Sequence, residues 1–160
     1  MGCDMTKGMK IRYIIYIIII VVLLVVPFRE DNYNLNMDEL RSSLKTQVND
    51  EYVVAGDKSD LRKFYHLSFD DLDDFILYVP ATSMRVNEVA IIKAKKGKED
   101  VLLQEVVNRR DFQKNVFEGY GAKQCKLLDN AVLEQRGQYI IYITGEDGKR
   151  LLSVVEKEAR

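Results

Sequence analysis

Four acids crowd one short stretch of the chain: Asp70, Asp71, Asp73 and Asp74. Carboxylate oxygens are the natural ligands of calcium. The stretch lacks the D-x-[DN]-x-[DN]-G spacing of a calcium loop. An acid-rich helix start accounts for the cluster through the helix dipole, so no metal site is predicted. Arg109 and Arg110 interrupt a long helical pattern between two apolar halves. Turned inward, either could hold a carboxylate or a sugar acid through paired hydrogen bonds. On a solvated face it would pair with Asp111 or Glu105. Tyr120 follows in the same pattern and could stack on a ligand or pack in the core. Arg109, Arg110 and Tyr120 are therefore the candidate ligand-binding residues. No catalytic residue and no cofactor is assigned.

His66 is the single histidine of the chain. That argues against zinc sites built on histidine pairs and haem held by two histidines. A Ser-His-Asp or Cys-His centre would have to use His66, and Ser68 and Asp70 are too close in sequence to form one with it. His66 instead suits the C-terminal end of a short helix, where the dipole favours an imidazole. No phosphate-binding glycine loop and no G-x-S-x-G turn is present. Glycosidase chemistry needs a pair of carboxylates, and nothing in the sequence singles one out. Lys93 to Lys98, KAKKGK, reads as a solvated loop. Cys125 reads as a half-buried small apolar residue.

The segment Tyr13 to Phe28, YIIYIIIIVVLLVVPF, is uncharged. A span needs about 20 residues, which Met9 to Phe28 supplies if Lys10 and Arg12 reach the headgroups. Lys7, Lys10 and Arg12 precede the run, so residues 1–12 are expected in the cytoplasm and 29–160 outside. VVLLVVPFRED lacks a small-residue cleavage pattern, so an uncleaved signal anchor over 13–28 is the reading. Met1-Gly2-Cys3-Asp4-Met5-Thr6 matches a loose myristoylation pattern, which the adjoining apolar run makes redundant. Cys3 and Cys125 would then lie on opposite sides of the membrane and could not pair. Setting aside Lys7, Lys10, Arg12 and Asp4 leaves 21 basic and 24 acidic residues outside, a formal charge of −3. That balance argues against nucleic acid as a partner.

Residues 29–36, REDNYNLN, read as a linker, and 37–160 as one domain. Asn36 caps a predicted helix carrying Met37, Leu40, Leu44 and Val48. Ser59 or Asp60 starts a shorter one through Tyr65. Phe75–Val79 and Val86–Ala94 read as strands. Glu99 to about Tyr120 is the longest helix, its apolar faces formed by Val101, Leu102, Leu103, Val106 and Val107 and then by Phe112, Val116, Phe117 and Tyr120. Gly119 and Gly121 end it. A short helix to Asn130, a hairpin of 131–134 with 139–144, and a C-terminal helix complete the order. The prediction is an α+β fold with a largely antiparallel sheet and helices packed on one face.

The stretch from about Phe64 to Leu152 resembles a family of small extracytoplasmic proteins of Gram-positive bacteria, a domain of unknown function that includes many lipoproteins. NEVAIIKAK and the run VVNRRDFQKNVFEGYGAKQCKLLDNAVLEQRGQYIIYIT carry the likeness. Within it Arg109 or Arg110, Phe117, Tyr120, LLDNAVL and Gly137-Gln138-Tyr139 stand out. The resemblance implies exposure on the cell envelope and no known activity. The chain departs from it in having no cysteine after the apolar run and Gly121 where a proline is expected. Together these readings predict a single-pass, non-enzymatic envelope protein that binds a partner protein. The alternative is a ligand-binding or sensory domain for an envelope sugar or peptide.

Overall fold

The computed structural model describes residues 15–16 and 33–159. The chain divides into two units, 1–32 and 33–160. Ile15 and Tyr16 are helical, and the rest of the apolar run 13–28 lies outside the described residues. Among the described residues no helix is long and apolar enough to cross a membrane.

The second unit opens earlier than its sequence suggests. Leu35 is buried and bridges to Ala159, and the Tyr139 hydroxyl donates to Asn34 Oδ1 at 2.9 Å. Tyr33 packs edge-on against Tyr139. Residues 33–36 therefore belong to the domain, not to a linker. Asn36 Oδ1 then accepts from the Glu39 amide and starts α1, Met37–Gln47. Helix α2, Lys58–Tyr65, is capped by Asp57, two residues before Ser59, the nearer of the predicted caps. Asp57 accepts from the Ser59 and Asp60 amides, while the Asp60 carboxylate takes the Asp57 amide. Ser68 caps a single 3-10 turn, Phe69–Asp71.

Five antiparallel strands follow the order β1-β2-β3-β5-β4. They are β1 Val53–Ala55, β2 Leu72–Pro80, β3 Glu88–Ala94, β4 Val132–Arg136 and β5 Tyr139–Thr144. Between β3 and β4 lie α3, Glu99–Phe117, and α4, Ala122–Asp129; α5, Gly148–Lys157, closes the fold. The fold is α+β, as the element order implies.

Helices cover both faces of the sheet, which corrects the one-face expectation. Side chains alternate along a strand, so neighbouring residues point to opposite faces. Ile76, Tyr78, Val89, Ile91, Ile141 and Ile143 pack with Leu40 and Leu44 of α1 and Leu151 and Val155 of α5. Leu77, Ala90, Ile92, Ile140 and Tyr142 pack with Leu61 and Tyr65 of α2 and Leu102 and Val106 of α3. Strand β3 is thus buried on both sides, which is why it reads as a near-continuous apolar run.

Ile91 and Ile92 test this arrangement, because both are fully buried on opposite faces. Each change to Ala should cost about 2–5 kcal/mol in urea unfolding. A one-sided sheet would leave one of the two nearly neutral, and that outcome would refute the three-layer packing.

Candidate functional site

The polar centre of the domain is a carboxylate that the sequence reading did not single out. Glu88 opens β3 on the face shared with α2 and α3, and it is 0% exposed. A buried carboxylate is costly unless its charge and lone pairs are met. Here they are. Arg109 of α3 donates from Nη2 to Oε2 at 3.0 Å and from Nε to Oε1 at 3.3 Å. The Tyr65 hydroxyl of α2 donates to Oε1 at 2.5 Å, and Gln113 Nε2 donates to Oε2 at 2.8 Å. The Tyr142 hydroxyl of β5 then donates to Gln113 Oε1 at 3.0 Å. Five side chains from four elements share one satisfied network.

The buried stripe of α3 is Leu102, Val106, Arg109, Gln113 and Phe117. Phe112, Val116 and Tyr120, predicted inward, are exposed instead, at 62%, 43% and 63%. Val101 is exposed as well. The cause is the network. With Arg109 turned to Glu88, a step of about 100° per residue puts Phe112 on the flank of the buried stripe.

The three predicted ligand-binding residues do not converge. Arg109 is inward and bound to Glu88. Arg110 turns to solvent and pairs with its neighbour Asp111 at 2.7 Å. Tyr120 is exposed and lies beside Phe117, ring to ring at 5.7 Å. Arg109 does border an open groove of about 610 Å³ between α2 and α3, with Lys63, Phe64, His66, Asn108 and Phe112. The Arg109 guanidinium lies over the Phe64 ring, 4.6 Å from its centre, and Lys63 Nζ lies 4.9 Å from it. His66 caps α2 in the left-handed conformation, φ 53°, and is among the residues that line the groove. The groove presents two aromatic rings and the cations Lys63 and Arg109, the latter already balanced by Glu88. No acid lines it.

Among the described residues no cluster of histidine, cysteine and acids could hold a metal ion. Of the acid cluster, Asp71 pairs with Lys98 and Asp74 with Arg41. Cys125 is a half-buried free thiol packed against Val86, Phe117 and Leu128.

Removing one partner of a buried pair strands the other charge. Arg109→Met should therefore cost about 3–5 kcal/mol, whereas Arg110→Met should stay within about 0.5 kcal/mol. Equal effects would refute the assignment of the inward arginine.

Tyr65 and Tyr142 are held neutral well above the usual tyrosine range, first by burial and then by the Glu88 charge. The unfolded chain ionises them near pH 10, so their contribution is complete below that and is lost as pH rises beyond it. In a tyrosinate absorbance titration, Tyr65→Phe and Tyr142→Phe should each remove signal that forms only as the domain unfolds. Loss of signal from the early phase instead would contradict the buried network.

No curated protein and no solved structure matches the chain. One family model does, over residues 46–145, more than half of the chain. It spans the sheet from before β1 through β5, together with the Glu88–Arg109 network and the groove. The chain belongs to this family, the domain of unknown function DUF4358.

Proposed function

We propose that the domain is a non-enzymatic protein-binding module, held at the cell envelope by the apolar run 13–28 as a signal anchor. On this reading residues 29–160 lie outside the cytoplasm, following the basic residues before the run. The observation that carries the binding role is the exposed apolar set of Phe112 and Val116 on α3 and Tyr120 in the turn after it, with Phe112 lining the Phe64 groove. Single exposed apolar residues are ordinary, but a row of them next to a groove marks an interaction surface. The partner is a protein segment that seats an apolar side chain between Phe64 and Phe112 and brings an acid to Lys63. Charge supports this, since Lys63 lines the groove and among the described residues no acid does. The sugar-or-peptide reading has less support here, because Arg109 is neutralised by Glu88 while Arg110 and Tyr120 do not line the groove.

The test is photo-crosslinking of the full-length protein in its native membrane, with a benzoylphenylalanine at position 112 or at position 149. Position 149 is exposed on α5, which packs on the other face of the sheet. One dominant protein adduct should form from 112, should vanish with Lys63→Glu, and should be absent from 149. Equal capture from both positions, or no adduct from 112, would defeat the proposal.

A further inference from the structure

A second cleft, of about 430 Å³, opens where the β2–β3 connection meets α4 and the turn before α5. Its walls include Tyr52, Thr82, Arg85, Asn87, Lys123 and Glu146. It shares no lining residue with the Phe64 groove.

The cleft is built around underused polar groups. The Arg85 guanidinium sits over the Tyr52 ring, 4.2 Å from its centre. That contact holds it in place while leaving its edges open. Among the described residues its one hydrogen bond is long, 3.5 Å, to Glu51, whose side chain is 73% exposed. Among the described residues the Asn87 amide and the Thr82 hydroxyl make no hydrogen bond to protein, although both line the cleft. Gly145 makes room for Asn87. A Cβ there would stand 2.5 Å from Asn87 Nδ2, and φ +129° suits glycine alone. Gln124 is occupied, donating to the Met84 carbonyl and tying α4 to the connection.

Charge narrows the ligand. Lys123 and Glu146 pair at 2.5 Å and largely cancel. Arg85 is left with one weak, exposed partner. Displacing Glu51, the long and exposed partner, leaves Arg85 free to take one negative group. A planar guanidinium matches a carboxylate through two parallel hydrogen bonds.

We propose that this cleft binds a small carboxylate flanked by hydrogen-bonding groups, with Arg85 taking the carboxylate and Asn87 and Thr82 the flanking hydroxyls or amides. Such a carboxylate could come from a sugar acid or from a peptide C-terminus. Isothermal titration of the full-length protein in detergent micelles separates these sources. The probes are D-glucuronate, N-acetyl-L-alanyl-L-alanine, the neutral partners glucose and the dipeptide methylamide, and inorganic phosphate. One carboxylate should give saturable heat with a dissociation constant of about 1 mM or tighter, and its neutral partner should bind at least about tenfold more weakly. Arg85→Gln, and the isosteric Asn87→Asp, which sets a like charge against the ligand, should each weaken binding about tenfold or more. Arg110→Gln should change nothing. No saturable heat from either carboxylate, equal binding of the neutral partners, tighter binding of phosphate, or full affinity in Asn87→Asp would overturn the proposal.

Discussion

The domain is organised around one buried charge. Glu88 sits on the central strand, and its burial demands Arg109, Tyr65 and Gln113 at hydrogen-bond distance. Those partners come from α2 and α3, so meeting the charge fixes how both helices lie on the sheet. A set of apolar residues of the same volume could stabilise such a core as well or better. What the network adds is orientation. Only one rotation of α3 brings Arg109 and Gln113 to the same carboxylate. That rotation leaves Phe112 and Val116 exposed on the flank, with Phe112 in the groove beside Phe64, so the exposed surface follows from the buried one.

Much of the fold was legible because strong local signals agreed. Asn36 with Glu39 located α1, the aromatic run before Pro80 located β2, and Gly137-Gln138 located the β4–β5 hairpin. Strand β1 escaped notice because it is three residues long and buries only Val53. The coverage of both sheet faces was written into VAII of β3, since a strand with one wet face would alternate. The site was less legible. Along α3 apolar residues occur on two adjoining stripes, and local periodicity cannot choose between them. The choice is made by Glu88, which sits 21 residues before Arg109 and carries no local mark beyond being an acid at the head of an apolar strand.

The end of α3 depends on Gly121. Its amide donates to the Phe117 carbonyl at 2.8 Å, a bond that a proline would forfeit. A Cβ at this position would also meet Phe117 Cδ1 at 2.7 Å. Phe117 is buried against Val86 and Leu128, at the join of α3, α4 and the β2–β3 connection. Glycine lets the chain fold tightly over that ring, and the turn carries Tyr120 into solvent beside it.

The sheet edges bear on how this domain would recognise another protein. An extended peptide can add to a sheet only along an exposed strand of useful length. The edge β1 offers three residues. The edge β4 is charged, with Arg136 paired both to Glu134 and to Glu156 of α5 at 3.1 Å. Short and charged edges are the usual means of preventing strand addition. Both sheet faces are already covered by helices. The remaining apolar surface along α3 lies on a helix flank, so on the proposed binding role a partner would engage it through side chains seated in the groove between α2 and α3. A helix or a short apolar segment with a nearby acid suits that geometry, whereas an added strand does not.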